Sequence, residues 1–197
     1  MTREDSDAIA VVAGDDVVED NWTVIEDGEL KGMKCNNGVF HSLSSESTCD
    51  IDRWRVMPSL EGHRSLIKLD LYKHRYIKKL HDSVCSLIHL KVLSLVRCEK
   101  LNCLPEKIGD LKNLQELNLT DASELSFLPE SLGDLSSLRK LSVGGHQGSG
   151  NKLLKTLPST LGRLSNLETL CLDKCKELES LPPDIGKLRN LKVLLMR

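Results

Sequence analysis

The stretch Leu104–Leu128, LPEKIGDLKNLQELNLTDASELSFL, places Leu or Ile at offsets 0, 4, 7, 10, 13, 15, 21 and 24 from its first residue. Offsets 10, 13 and 15 are Leu114, Leu117 and Leu119, which spell L-x-x-L-x-L. That spacing is neither a helix period of 3.6 nor strand alternation of 2. It fits a short strand, a turn and a short helical turn that all point their apolar groups into one seam. Leu128, at offset 24, opens another copy of the same pattern.

Copies begin at Val56, Leu80, Leu104, Leu128, Leu157 and Leu181, with steps of 24, 24, 24, 29 and 24 residues. The strand core recurs as Leu66/Leu69/Leu71, Leu90/Leu93/Leu95, Leu114/Leu117/Leu119, Leu138/Leu141/Val143, Leu167/Leu170/Leu172 and Leu191/Leu194/Met196. A fixed period of this length around this core is the signature of a stacked repeat array. On these residues the segment from 56 to 197 resembles the intracellular leucine-rich repeat family. Its L-P-x-x-I/L-G-x-L segments look like those of plant disease-resistance receptors and of Ras-pathway scaffold proteins. The resemblance implies an α/β leucine-rich repeat solenoid, a curved parallel sheet with short helical turns on the convex side.

Each recurring residue has a physical task. Pro105, Pro129, Pro158 and Pro182 follow the first Leu, where a helical turn starts and a missing N–H costs nothing. Glu106, Glu130 and Asp184 sit near the positive end of that turn. Gly109, Gly133, Gly162 and Gly186 end the turn, where a left-handed backbone is expected. Offset 18 holds His74, Cys98, Ala122, His146 and Cys175. The resemblance implies a residue here that binds backbone where the strand ends, commonly Asn; Cys98 and Cys175 read as smaller, buried thiols, as in cysteine-containing plant-type repeats.

Residues 1–50 lack the repeat and carry 12 Asp/Glu against 3 Lys/Arg, a net charge of −9, whereas residues 51–197 carry 17 against 24, a net of +7. High charge with few large apolar groups argues that 1–50 is a disordered acidic segment ahead of a repeat domain at 51–197, whose last repeat is incomplete. Within that segment Trp22, Val24 and Ile25 suit a brief strand, with Val39 and Phe40 as hairpin partners. Trp54 is a candidate lid on the first repeat, the least regular of the six. Aromatics make up only 3% of the chain, so leucine ladders must supply the burial. No run of 18 apolar residues marks a membrane span, and no signal segment is read at the N-terminus. Seven cysteines with no C-x-x-C pair read as free thiols in the cytoplasm or nucleus. The two Asn-x-Thr triplets, at 21–23 and 118–120, are short and frequent by chance.

The fourth copy carries five extra residues within Gly144–Lys152, GGHQGSGNK. A phosphate-cradling loop needs Gly-Lys followed by Ser or Thr; here Lys152 stands between Asn151 and Leu153, so a rim insertion is the better reading. Neither the Cys98/Cys103 nor the Cys171/Cys175 pair has the spacing or the further ligands of a zinc site. Cys171 lacks a histidine to activate it. The sequence offers no catalytic group and calls for no cofactor.

What repetition does create is a surface. Offsets 12, 14 and 16 alternate with the inward leucines and face outward. Stacking aligns them into rows: Lys68, Val92, Glu116, Lys140, Thr169 and Val193; Asp70, Ser94, Asn118, Ser142, Cys171 and Leu195; Tyr72, Val96, Thr120, Gly144, Asp173 and Arg197. This concave face suits a protein partner. The predicted function is a non-catalytic protein-interaction module or scaffold in signalling, with a second reading as the sensor half of a disease-resistance-type receptor without its nucleotide-binding domain. Lys73, Arg75, Lys78 and Lys79 form a basic patch with Tyr72 and Tyr76; its short length argues against nucleic acid and for an acidic protein partner or the chain's own acidic segment. Leu191, Leu194 and Met196 follow without a polar capping repeat, which predicts an open edge and self-association.

Overall fold

The computed structural model describes residues 57, 59–74, 76–145 and 150–197, together with strand backbone at 8–10, 22–26, 29–31 and 42–44. Strands β5 (Lys68–Asp70), β6 (Val92–Ser94), β7 (Glu116–Asn118), β8 (Lys140–Ser142), β9 (Thr169–Cys171) and β10 (Val193–Leu195) are the six predicted strand cores. Each pairs in parallel with the next, in the register the period dictates: Leu69 opposite Leu93, Leu93 opposite Leu117, Leu117 opposite Leu141, Leu141 opposite Leu170 and Leu170 opposite Leu194. One inward leucine therefore stacks on the next along the whole array.

The sheet does not begin at β5. Strand β4 (Ser42–Ser44) pairs in parallel with β5, Leu43 opposite Leu69, so the array extends one strand into the segment read as an acidic tail. Beyond it, β1 (Ala8–Ala10) and β2 (Trp22–Glu26) pair antiparallel, and β2 pairs with β3 (Glu29–Lys31). The strand expected at Trp22 exists and pairs with Glu29–Lys31; Val39 and Phe40, expected as its hairpin partners, lie outside the described residues. The other residues of 1–50, where disorder is expected, lie outside the described residues, as do Trp54 and Arg75.

On the opposite side of each coil the chain forms a 3-10 turn: Asp82–Ser86, Ile108–Asp110, Glu130–Asp134, Ser159–Arg163 and Pro183–Lys187. A return of this length is too short for an α-helix, whose hydrogen bonds reach four residues. The prolines sit one place earlier than predicted. Pro129, Pro158 and Pro182 are the caps, in extended backbone (ψ 149, 140 and 144), and their carbonyls accept from Leu132, Leu161 and Ile185. They set the direction of entry and still lose no needed N–H.

The glycines are also there for a different reason. Gly109, Gly133 and Gly162 are not left-handed; among described glycines only Gly62 and Gly150 have positive φ. A Cβ on Gly109 would stand 2.2 Å from the Ser131 carbonyl oxygen, and one on Gly133 or Gly162 would stand 2.4 Å from that of Thr160 or Asp184. Successive turns approach too closely for any side chain. The left-handed residue is instead at offset 17, directly after the strand: Lys73 (φ 59), Arg97 (φ 60), Asp121 (φ 61), Gly150 (φ 68) and Lys174 (φ 58). There the chain leaves the sheet, and the amides of Lys73, Arg97, Asp121 and Lys174 continue the ladder, as Lys73 does to the Val96 carbonyl at 2.8 Å.

One continuous core runs from Met57 to Leu188, most of it leucine and nearly all of it at 0–1% exposure. Each fully buried leucine contributes about 2 kcal/mol of apolar transfer, so the ladder does without aromatic bulk.

Candidate functional site

The outward rows lie as the alternation predicts. In β6, β7 and β9 the centre residue is buried and its neighbours are half-exposed; in β5 and β8 Lys68 and Lys140 stand fully out. The face is broad, and its charges are matched within it. Lys68 Nζ lies 3.5 Å from Asp70, and Lys140 Nζ lies 4.0 Å from Glu116 across β7 and β8. Between these pairs the central column holds small side chains: Ser94, Asn118, Ser142 and Cys171. The Asn118 Oδ1 accepts from the Thr120 amide and hydroxyl at 3.1 and 2.6 Å. Val92, Val96 and Thr169 complete a half-exposed surface with few protruding groups.

Two members of the predicted rows are not on offer. Asp173 is buried, with its Oδ1 accepting from the Arg197 amide at 2.8 Å. Gly144 is buried against the Asp173 backbone, where an added Cβ would lie 2.1 Å from its carbonyl oxygen. Both belong to the bend after the strand, where the chain turns inward and strict alternation ends.

Most thiols here are poor nucleophiles. The Cys98 Sγ donates to the Leu71 carbonyl at 3.1 Å, and burial pushes its pKa up to about 12. Burial likewise pushes Cys85 and Cys175 up to about 11, although Cys175 is half-buried rather than enclosed as predicted. These three thiols stay protonated near neutral pH, which removes the nucleophilic thiolate. His74, buried at the same offset as Cys98, has its pKa lowered to about 4 by burial, so it is a neutral spacer. Among the described residues, no group of three His, Cys, Asp or Glu converges as a metal site would require. No helix among them is long and apolar enough to cross a membrane.

Sequence reading missed the asparagine of the fourth repeat. The five extra residues enter before offset 18, so Asn151, not His146, takes the buried position. Its Nδ2 donates to the Ala122 and Leu125 carbonyls at 3.0 and 2.8 Å, and its Oδ1 accepts from the Leu153 and Leu154 amides at 3.0 and 2.7 Å. The clue was available: Asn151 precedes Leu154 by three, as Ala122 precedes Leu125. The insertion leaves at Gly145 and returns at Gly150, whose amide donates to the buried Asp121 Oδ1 at 3.3 Å. His146 itself lies outside the described residues.

A second asparagine series was also overlooked. Asn113, Asn166 and Asn190, each just before the first Leu of a strand core, donate from Nδ2 to the carbonyls of Ile88, Ser136 and Ser165 in the preceding coil, at 2.7, 2.8 and 2.7 Å. Glu130 makes a further inter-coil tie, accepting from Ser159 and Thr160 of the next turn. Burial alone would raise its carboxyl, but these bonds hold it below the ordinary value.

Residues 44–197 match the family model described as leucine-rich repeat region. A search of curated proteins returned no match. Among solved structures, a Leptospira interrogans leucine-rich repeat protein is similar at 30% identity over 68% of this chain and 38% of its own, with a TM-score of 0.47. The leucine-rich repeat domain of the type III effector XopL is similar at 25% identity over 72% of this chain and 57% of its own, with a TM-score of 0.48. The chain thus spans well under two thirds of the length of either.

Proposed function

Because the chain belongs to the leucine-rich repeat family, a fold of protein-interaction modules, we propose that it is a non-catalytic recognition module whose partner docks on the outward sheet face. The observation that carries this reading is the in-register alignment of β5 to β10, which turns small residues into a continuous column. Small side chains let a partner surface come close. The internal pairing of Lys68 with Asp70 and of Glu116 with Lys140 leaves little charge to desolvate on contact. The contact residues of this reading are Lys68, Asp70, Tyr72, Val92, Ser94, Val96, Glu116, Asn118, Thr120, Lys140, Ser142, Thr169 and Cys171.

Affinity capture with mass spectrometry tests it. Wild type is compared with Ser94→Arg/Asn118→Arg/Ser142→Arg and with a control altered on the turns, Lys107→Ala/Lys187→Ala. A partner retained by the control and lost by the sheet-face variant is the expected result. Equal capture by all three proteins overturns the assignment.

The five described cysteines are free thiols, which supports a reducing, cytoplasmic or nuclear setting. The Leu-Pro and Gly-x-Leu segments support a second reading, in which this is the sensor portion of a disease-resistance-type receptor acting in defence signalling. A transcript that joins these repeats to a nucleotide-binding domain would favour it. On β10, Val193 and Leu194 are exposed, with Met196 beside them, a composition that supports self-association; light scattering over a concentration series measures it.

A further inference from the structure

We propose that the arc from Tyr72 to Lys79, which crosses the rim of the first repeat, is a second docking surface that takes an acidic protein segment. Between Asp70 and Asp82 the chain contains no carboxylate, but it contains Lys73, Arg75, Lys78 and Lys79. The corresponding arcs of the second and fifth repeats set Glu99 and the Glu177/Glu179 pair among their cations, and the third carries Asp121 and Glu124 with no cation.

The arc is held firmly in shape. Leu71, His74, Ile77 and Leu80 are buried beneath it, at 0–1% exposure. Their spacing of three leaves Tyr72, Lys73, Tyr76, Lys78 and Lys79 exposed between them. Both ends are tied to the second repeat: the Lys73 amide donates to the Val96 carbonyl at 2.8 Å, and the Lys78 carbonyl accepts from the Asn102 amide at 2.9 Å. Lys79 bridges to Cys103. Lys73, Lys78 and Lys79 are thus presented from backbone fixed on two sides, which lowers the ordering cost of binding.

The chemistry favours carboxylates interleaved with apolar groups. Lys73 Nζ stands 5.0 Å from the centre of the Tyr72 ring, and Tyr76 is 41% exposed. The ammonium groups suit carboxylates, and the rings suit the aliphatic stems between them. The Lys79–Asp82 pair, 3.9 Å apart and well exposed on both sides, is weak enough to exchange for an incoming carboxylate. The site is independent of the sheet-face reading, since only Tyr72 is common to both.

Fluorescence anisotropy with a labelled twelve-residue peptide of alternating Glu and Val is the test. The probe is run against wild type and Lys73→Ala/Lys78→Ala/Lys79→Ala, at roughly 20 and 200 mM salt so that screening changes strongly. Its Gln-for-Glu counterpart and a twelve-nucleotide single strand of DNA serve as comparisons. The expected result is binding of the acidic peptide that weakens about tenfold or more in the triple variant and with salt, with little binding of the Gln peptide. Unchanged melting of the triple variant separates this loss from unfolding. Equal binding by wild type and variant overturns the proposal, and so does tighter binding of the DNA. A third protein, Asp15→Asn/Asp16→Asn/Glu19→Gln/Asp20→Asn, identifies the occupant. If only this variant binds the probe, the surface is filled by the chain's own acidic segment and the assignment to a partner fails.

Discussion

Leu117 and Leu194 hold the same place in the strand core of their repeats, yet Leu117 is 0% exposed and Leu194 is 42% exposed. Gly133 and Gly186 likewise share an offset; a Cβ would strike the Thr160 backbone at the first and meet nothing within 4 Å at the second. Identical sequence positions thus carry different loads. In a solenoid each coil is buried by its neighbours, so the worth of a residue depends on whether another coil lies on its far side.

The sharpest way to probe that difference is truncation. Leu117→Ala is expected to cost about 2–5 kcal/mol, as enclosed leucines do. Leu194→Ala should cost less than half as much, because its site is already open to water. Urea unfolding of both variants measures the pair; equal losses would show that burial in the interior repeats is not what holds them.

Asn151→Ala comes next. It strips donors from the buried Ala122 and Leu125 carbonyls and leaves two amides without their acceptor, at an expected cost of about 2–4 kcal/mol. Asn118→Ala, on the outward face, should stay within about 0.5 kcal/mol. A smaller contrast separates the glycines: Gly133→Ala is expected to cost about 1–3 kcal/mol by overpacking, and Gly186→Ala almost nothing. Thermal melts are adequate to rank all four.

The smallest effect is one of pH. His74 has a folded pKa of about 4 against an ordinary 6.5, so the unfolded chain binds the proton first. Stability from this group is present above about pH 6.5 and is lost as pH falls toward 4. Between pH 7 and pH 5 the expected loss is about 1–2 kcal/mol. His74→Asn, which does not titrate, should flatten that part of the stability profile; an unchanged profile would put the pH sensitivity elsewhere.

The leucine period exposed the strand cores, their register and the inward side, because apolar burial repeats with the coil. Backbone geometry was harder to read. The left-handed position is filled by Lys73, Arg97, Asp121 and Lys174, none of which advertises a positive φ as glycine does. The conserved-looking glycines of the turns suggested that conformation but serve close approach instead, a property of two coils that no single coil displays. Asn151 was hidden by an insertion whose exact point of entry shifts the count. Strand β4 was hidden because Leu43 is the only leucine that marks it between residues 39 and 45. The outward rows were legible through offset 14 and, at offset 16, at Tyr72, Val96 and Thr120; in the later repeats the bend buries Gly144 and Asp173 at that offset, which alternation alone does not foresee.

The bare glycines of the 3-10 turns also act on the shape of the whole arch. Strands on the sheet side are held about 4.8 Å apart by their hydrogen bonds, so the bend of the stack is set by how widely its other side is spaced. α-Helices there would keep their axes about 8–10 Å apart, whereas Gly109, Gly133 and Gly162 let the returning segments nest backbone to backbone. A bulky residue at any one of these three positions would act as a wedge, tightening the radius locally and altering the contour offered to a partner on the far side of the molecule without touching a single contact residue.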